Sequence, residues 1–110
     1  MAYDEQLADQ IRQVLANETG VVEKRMFGGL AFLLGGHMAV AASGQGGLLV
    51  RCDPEQTDTL AGEPHAAPAV MRGRPMDGWL RVDPEGVVDA PDLERWARLG
   101  AEYARSLPPK

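Results

Sequence analysis

Two short segments of the chain, residues 25–29 and 72–74, contain arginine and glycine within a few positions of each other. The guanidinium group of arginine pairs with phosphate and carboxylate oxygens, and glycine lets a ligand approach the backbone closely. These segments therefore predict a binding site for a small anion. Two structural alternatives stay open: the arginines form salt bridges with the chain's own acids, and the pair Gly28-Gly29 forms a bulge or a tight bend. The candidate binding residues are Arg25, Phe27, Gly28, Gly29, Arg72 and Arg74.

Residue types that catalyse reactions or hold metal ions are few and scattered. Cys52, His37 and His65 are the soft or imidazole ligands, and their spacing matches no compact zinc pattern. The single cysteine ends an apolar run, where an inert buried thiol is the usual case. The sequence contains neither a Gly-x-Ser-x-Gly nucleophile motif nor a phosphate-binding loop. We therefore predict no catalytic residues, no metal or cofactor site and no enzymatic activity.

A glycine-centred hairpin is the element that the sequence indicates most strongly. Gly35-Gly36 separates two apolar runs, and a two-residue type I′ or II′ turn needs the positive φ angles that glycine adopts freely. Such a turn sets the register of the two strands. The predicted cross-strand pairs are Leu34 with His37, Leu33 with Met38, Phe32 with Ala39 and Ala31 with Val40.

Both faces of this predicted hairpin are apolar, so each face needs a cover. Helices of the same chain or a second molecule can supply it. If helices leave Leu30, Phe32 and Leu34 bare, these three residues form a dimer interface; otherwise they belong to the core. Alternation along the strands assigns Ala31, Leu33, Met38 and Val40 to one face, and Leu30, Phe32, Leu34, Ala39 and Ala41 to the other.

Helices are predicted at both ends of the chain. Apolar residues recur at helical spacing in residues 4–17, with Asp4 as the N-cap and Gly20 ending the pattern. Asp53-Pro54 starts a short helix that ends at Gly62. The last helix begins at Asp89 or Ala90 and stops before Pro108. Its predicted buried stripe consists of Leu93, Trp96, Gly100 and Tyr103.

The remaining segments predict strands and their connections. Residues 21–27, 48–52 and 79–82 are predicted strands, and an edge strand near Met71 breaks at Pro75. Residues 63–69 are predicted as a connecting loop, and Asp77-Gly78 as a turn before the last strand. The resulting order, α-β-β-β-β-α-β-β-α, predicts one α+β domain over residues 1–110. Its antiparallel sheet is packed by the N-terminal and C-terminal helices.

Composition and charge limit the classes of function. A chain of 110 residues is long enough for one hydrophobic core, and a net charge of −5 argues against bulk binding to nucleic acid or membrane surfaces. Basic residues are nevertheless frequent in the predicted strands and their connections. A local basic patch and a mixed, solvated surface both stay open. These basic residues are Lys24, Arg25, Arg51, Arg72, Arg74 and Arg81.

The sequence also bears on the compartment. A single cysteine forms no disulfide within the chain, which suits a reducing environment. The first residues form an acidic amphipathic segment rather than a signal peptide, and no apolar run approaches membrane-spanning length. We therefore predict a cytoplasmic protein without membrane contact.

A series of short motifs spans nearly the whole chain. It consists of Arg25-Met26-Phe27-Gly28-Gly29, then Phe32, Gly36 and Met38, then Leu48-x-Val50-Arg51, Gly73-Arg74, the Trp79 strand and Leu93-x-x-Trp96. These motifs resemble the N-terminal domain of the TfoX/Sxy family of bacterial competence regulators. The resemblance implies a compact α+β domain without enzymatic activity, in proteins that act as transcriptional coactivators of DNA-uptake genes together with a DNA-bound regulator. Family members usually carry a second, helical C-terminal domain, so this chain is expected to be a stand-alone N-terminal domain.

Two functions from different classes follow. The resemblance and the hairpin with two apolar faces predict a non-enzymatic regulatory or protein-interaction domain. Its partner is another protein or a second copy of the chain. The alternative is a domain that binds a small anionic ligand or nucleotide through Arg25 and the loop with Arg72 and Arg74. The acidic total charge disfavours direct binding to DNA.

Overall fold

The computed structural model describes residues 3–26, 28–44, 46–71 and 73–108. Over these residues the elements follow the predicted order, and the predicted α+β class is confirmed. Six strands form one antiparallel sheet in the order β1-β2-β3-β4-β6-β5. The elements are α1 (Glu5–Val14), β1 (Val21–Met26), β2 (Gly29–Leu34), β3 (His37–Ala42), β4 (Leu48–Arg51), a 3₁₀ turn (Pro54–Gln56), α2 (Thr57–Ala61), β5 (Ala66–Met71), β6 (Arg74–Val82), a second 3₁₀ turn (Pro84–Val87) and α3 (Ala90–Ser106).

The first helix begins where the sequence predicts it. The Asp4 carboxylate accepts hydrogen bonds from the backbone N–H groups of Gln6 at 2.9 Å and Leu7 at 3.2 Å. An N-cap of this kind satisfies donors that have no partner inside the helix and stabilises it by about 1 kcal/mol. The helix consequently presents a buried apolar stripe to the sheet.

The hairpin of β2 and β3 confirms the predicted turn but corrects the predicted register. Gly35 and Gly36 have φ angles of 59° and 84°, as a type I′ turn requires. Leu34 pairs with His37 and Leu33 with Met38, as predicted. The register then shifts between Phe32 and Leu33, so that Phe32 pairs with Val40 and Ala31 with Ala41. The predicted pairs of Phe32 with Ala39 and of Ala31 with Val40 are therefore wrong.

The cause of this shift is a β-bulge, which inserts one extra residue into β3 opposite β2. An extra residue reverses the side to which all later residues of the strand point. Val40 therefore lies on the face of Phe32, and Ala41 lies on the face of Ala31, the reverse of the predicted assignment.

The glycine pair at residues 28–29 forms the tight bend that was one of its two predicted roles. Met26 pairs with Gly29, so β1 and β2 are joined by a two-residue connection, and Gly28 has a φ of 75°. A Cβ atom on Gly29 would lie 2.0 Å from the backbone oxygen of Ala42. The neighbouring strand thus occupies the space beside Gly29. Phe27 lies outside the described residues.

The second hairpin differs from the sequence prediction. Residues 66–69 belong to β5 rather than to a loop, and β6 continues through Pro75 and Gly78 without the predicted break or turn. The first part of β6 pairs with β5 alone, and β5 is an edge strand, so prolines are tolerated in this hairpin. Pairing between the two strands overrides the weak local preference of the alanine- and proline-rich segment.

The helices α1 and α3 lie on one face of the sheet, which we call the covered face. Leu93, Trp96 and Gly100 of α3 are buried as predicted, whereas Tyr103 is only half-buried. A Cβ atom on Gly100 would lie 2.2 Å from the backbone oxygen of Ala39, so glycine allows α3 to pack directly on β3. The strand residues of the covered face are Leu30, Phe32, Leu34, Ala39, Val40, Ala42, Leu48, Val50, Leu80 and Val82.

The covered face settles the position of the three predicted interface residues. Leu30, Phe32 and Leu34 are 7%, 0% and 3% exposed, and they pack with residues of α1 and α3. Their predicted role in a dimer interface is wrong, because helices of the same chain already cover them. No helix among the described residues has the length and apolar character needed to span a membrane.

Candidate functional site

The opposite face of the sheet carries a second apolar cluster, and we call it the open face. No residue of α1, α2 or α3 in the described part of the chain belongs to this cluster or packs against it. The six residues of the cluster are nevertheless at most 9% exposed, so the centre of this face is closed to solvent. The cluster consists of Ala31, Leu33, Met38, Ala41, Leu49 and Ala69, with Met26 and Trp79 packed against it.

Strand pairing aligns one row of open-face residues across all six strands. In sheet order the row is Lys24, Ala31, Ala41, Leu49, Arg81 and Ala67. The two alanines at the centre of the row are 0% and 2% exposed, and a basic residue lies toward each end. Four strand spacings separate Lys24 from Arg81, which corresponds to about 19 Å.

A third basic residue of the open face is held by aromatic rings. Arg51 pairs with Trp79 across β4 and β6, and its guanidinium carbon lies 5.2 Å from the centre of the Trp79 ring. The same carbon lies 5.7 Å from the centre of the Tyr103 ring of α3, so the charge of Arg51 lies at the end of the sheet, between the two faces. Arg81, in the row described above, donates a hydrogen bond to the Ser43 hydroxyl at 3.0 Å. These contacts limit the freedom of both arginines, so their charges have defined positions.

Charge is distributed unequally between the two faces. Every ion pair among the described residues joins an arginine of a helix to a carboxylate, and neither Lys24 nor Arg51 takes part in one. Strand pairing assigns three basic residues and no acidic one to the open face, and the exposed Asp77 lies two residues before Trp79 on β6, outside the assigned pairs. The helix arginines and their partners are Arg12 with Asp9 and Glu23, Arg95 with Glu63, Arg98 with Glu94, and Arg105 with Glu18.

The strongest of these ion pairs lies at the edge of the covered face. Both oxygens of the Glu23 carboxylate accept hydrogen bonds from Arg12, at 2.6 and 2.7 Å. This two-point contact lowers the pKa of Glu23 and raises that of Arg12. The neighbouring Lys24 points to the opposite face, because successive side chains of a strand alternate.

The structure does not assemble the predicted anion site. Arg25 lies on β1, at one edge of the sheet, whereas Arg74 lies on β6, four strand spacings away. A separation of about 19 Å across the sheet prevents a small anion from contacting both. Gly28 and Gly29 form the bend between β1 and β2, and Arg72 lies outside the described residues.

The sequence predicts no metal site made of cysteine and histidine. The three residues of these types, Cys52, His37 and His65, lie in different parts of the fold. Cys52 is buried beside Thr57, with 3.8 Å between Sγ and Oγ1, and burial raises the pKa of its thiol. An imidazole nitrogen of His37 lies 2.7 Å from the backbone oxygen of Pro108. A thiol with a raised pKa is a poor nucleophile and a poor metal ligand at neutral pH.

His65 has neighbours that the sequence did not indicate. Its imidazole lies near the carboxylates of Asp83 and Glu85, and one donor atom from each lies within 4.8 Å of the others. Pairing of β5 with β6 brings these residues together, and the Asp83 N–H donates to the His65 backbone oxygen at 2.9 Å. All three side chains are exposed, as acidic groups on protein surfaces commonly are without a bound ion.

Sequence reasoning did not identify the open face as a unit. It noted Lys24, Arg51 and Arg81 as basic residues of predicted strands, but it did not determine which of them share a face. That assignment depends on the bulge in β3 and on the position of β6 between β4 and β5. The alternation within each strand was the available signal, and the pairing between strands was the missing one.

The molecule is thus an α+β domain whose single sheet has helices on one face only. A family model described as the TfoX N-terminal domain matches residues 13–104, which is most of the chain. The chain therefore belongs to the TfoX N-terminal domain family, and the resemblance noted in the sequence is confirmed. No curated protein and no solved structure matches the chain significantly.

Proposed function

We propose that this domain is a non-enzymatic regulatory module that binds another protein through the β1 edge of the open face of its sheet. The observation that carries the proposal is the exposure at this edge: Val22 is 51% exposed and Lys24 is exposed beside it, whereas the apolar cluster at the centre of the face is buried. Membership of the TfoX N-terminal domain family supports a regulatory role, as the resemblance to competence coactivators implies. Exposed apolar side chains on an edge strand are common sites of protein contact, because the edge also presents backbone groups that can pair with another chain.

The edge of the open face offers apolar contact area. Val22 pairs with Leu33, so its side chain points to the open face, where it is 51% exposed. Met26 and Trp79 are partly buried and pack against the same cluster. Tryptophan and methionine are enriched at protein–protein interfaces, because both offer large contact surfaces.

The groups with displaced pKa values do not form a catalytic cluster. Hydrogen bonding raises the pKa of Arg12 and lowers that of Glu23, and burial raises that of Cys52. The first two form an ion pair outside the open face, and the third is a buried thiol. Catalytic groups with displaced pKa values tend to gather in a cleft, and these three do not.

The free thiol also bears on the cellular location. Cys52 is buried and forms no disulfide, which suits a reducing compartment. On this ground we propose that the domain works in the cytoplasm.

Site-specific photo-crosslinking in the source cells tests the proposal. A photoreactive amino acid replaces Val22 on the open face, and the matched control replaces Val88, which is 76% exposed and precedes α3. After nuclease treatment, we expect a defined protein adduct from position 22 and none from position 88. Equal adducts from both positions, or none from position 22, would contradict the proposal.

A further inference from the structure

We infer that β1 pairs with an extended segment of a partner protein, which adds a strand to the edge of the sheet and places a carboxylate opposite Lys24. The inference rests on the proposed function and adds the geometry and the charge of the partner. It follows from the backbone groups that β1 directs away from the sheet, from the exposure of this edge and from the charges along it.

The tight bend after β1 determines which backbone groups point outward. Met26 and Gly29 pair on either side of a two-residue connection, and such a closing pair exchanges both of its backbone hydrogen bonds. Hydrogen-bonded and non-hydrogen-bonded pairs alternate along an antiparallel ladder. Val22 and Lys24 therefore bond to β2 as Met26 does, whereas the backbone groups of the residues between them point away from β2. These outward-directed residues are Val21, Glu23 and Arg25.

The edge formed by β1 is accessible and regular. β1 ends the sheet, no described strand pairs with its outer side, and residues 22–25 are exposed. All six residues of β1 have a backbone N–H, so its outward side offers an uninterrupted series of donors and acceptors. At the other edge of the sheet, β5 contains Pro68, which lacks an N–H, and its register shifts between Pro68 and Val70. Strand addition therefore suits β1 better than β5.

Charge along β1 favours an acidic partner. Both oxygens of the Glu23 carboxylate accept hydrogen bonds from Arg12, so the one acidic side chain of β1 is already paired on the side of the covered face. Arg12 also binds Asp9 there. Lys24 and Arg25 are exposed and take part in no ion pair among the described residues. Lys24 is the charged residue that β1 presents on the open face, and a carboxylate opposite it would form a cross-strand ion pair.

The order of side chains along β1 defines the partner's segment. The residue opposite Lys24 forms a non-hydrogen-bonded pair with it, in which the Cα atoms are about 4.5 Å apart and the side chains are close. In an antiparallel segment this residue comes two positions before the residue opposite Val22, and both lie on the open face. Val22 is 51% exposed and would gain contact from an apolar side chain. The segment therefore has an acidic residue, any residue and then an apolar residue.

A second copy of the chain fits β1 less well than an acidic segment does. Two copies of an antiparallel edge strand pair about a two-fold axis, at which one residue meets its own counterpart. The registers that pair most of β1 place Glu23 or Lys24 on this axis, and like charges directly opposite each other destabilise a strand pair. A register with Val22 on the axis avoids this contact but pairs only residues 21–23 of each strand.

Amide hydrogen exchange of the isotope-labelled domain provides the test. The probe is a capped eight-residue peptide of threonine, serine and valine with one glutamate two positions before a valine. At about ten times its measured dissociation constant, we expect it to slow exchange of the Val21, Glu23 and Arg25 amides about tenfold, because these N–H groups are bonded only in the complex. No binding, or slowing confined to the helices, would overturn the inference. Slowing of the same amides by a higher domain concentration alone would overturn it in favour of a second copy.

Two N-methylated forms of the probe distinguish strand addition from other contacts. One form has methyl groups on the backbone nitrogens opposite Glu23 and Arg25, which would face β1, and the matched control has them opposite Val22 and Lys24, which would face away. We expect the first form to bind at least about tenfold more weakly than the unmodified peptide, and the control to differ less than about threefold. Equal affinities of the two methylated forms would overturn the inference.

A charge swap at Lys24 tests the sign of the partner's charge. Lys24→Glu should weaken the glutamate peptide about fivefold or more and should bind a matched lysine peptide better than the glutamate peptide. Arg25→Glu is the control, because it reverses the neighbouring charge on the opposite face, and it should change affinity less than about twofold. Equal effects of the two variants, or an unchanged preference of Lys24→Glu for the glutamate peptide, would overturn the inference.

The two proposals fail in different ways. A protein crosslinked from Val22 through a helical segment, or through an extended segment without an acidic residue, would overturn this inference and leave the proposed function intact. Absence of any protein adduct at Val22 would overturn the proposed function itself.

Discussion

The two faces of one sheet are closed in different ways. On the covered face, Phe32, Val40 and Val50 are fully buried under α1 and α3, and Gly100 brings the α3 backbone against β3. On the open face, three of the six cluster residues are alanines, and no described helix residue belongs to the cluster. Large side chains between sheet and helices therefore pack the covered face. The open face has a buried centre and an exposed edge at β1, where Val22 is 51% exposed.

The largest expected contrast comes from truncating neighbouring residues of β2 that point to opposite faces. Phe32→Ala should lower the free energy of unfolding by about 4 kcal/mol, because a cavity remains between sheet and helices. Leu33→Ala should cost about 2 kcal/mol, since no helix packs on it. Urea unfolding of both variants measures the difference. An equal or larger loss for Leu33→Ala would show that the open face is as tightly packed as the covered one.

Packing of α3 on β3 is the next contrast. Gly100→Ala places a Cβ atom 2.2 Å from the Ala39 backbone oxygen, so the helix must move away from the sheet. We expect a loss of at least about 2 kcal/mol, as for other overpacked cores. Arg98→Ala, on the exposed side of the same helix, should change stability by less than about 0.5 kcal/mol. Thermal and urea unfolding would contradict the described contact if Gly100→Ala were neutral.

A buried hydroxyl that joins α2 to β6 gives a smaller effect. Thr57 Oγ1 donates to the Pro54 backbone oxygen at 3.0 Å and accepts from the Gly78 N–H at 2.7 Å. Thr57→Val keeps the shape but leaves the Gly78 N–H without its partner, which should cost about 1–2 kcal/mol. The exposed Thr59→Val serves as the control and should be nearly neutral. Equal unfolding midpoints for the two variants would refute this role of Thr57.

The smallest expected effect is the pH dependence of the Arg12–Glu23 pair. The pKa of Glu23 is lowered in the folded state, so its contribution is present above the unfolded value of about 4.3 and disappears as pH falls through the folded value. The pair is partly exposed, so Glu23→Gln should cost less than about 1 kcal/mol at pH 7, and this cost should decline as the pH is lowered below the unfolded value. Urea unfolding over a series of pH values from neutral to acidic measures the decline; a constant cost would contradict it.

Features that depend on neighbouring residues were predictable from the sequence. The Gly35-Gly36 turn follows from the φ angles that only glycine adopts easily, and the start of α1 follows from the capping carboxylate of Asp4. Both the turn and the helix start are determined by residues that are close together in the sequence. The burial of Leu93 and Trp96 on α3 is equally local, because helical spacing alone places them on one side.

Features that depend on distant pairing were not predictable in this way. An entirely apolar run gives no sign of where a bulge falls, so the shift at Phe32 was missed, and Val40 and Ala41 were assigned to the wrong faces. The strand at residues 66–69 forms because β6 pairs with it. The row of residues on the open face depends both on the position of the bulge and on the pairing of distant strands. It comes from six strands whose order in the sheet differs from their order in the sequence.

The most direct test of the central claim compares two exposed valines as binding determinants. Val22→Glu alters the open face and Val88→Glu alters the helix side, with the same change of charge and size. Affinity for the protein captured from position 22 is measured by titration calorimetry. We predict at least about a tenfold loss for Val22→Glu and unchanged affinity for Val88→Glu. Unchanged affinity for Val22→Glu, or equal losses for both, would contradict the claim that the β1 edge of the open face is the binding surface.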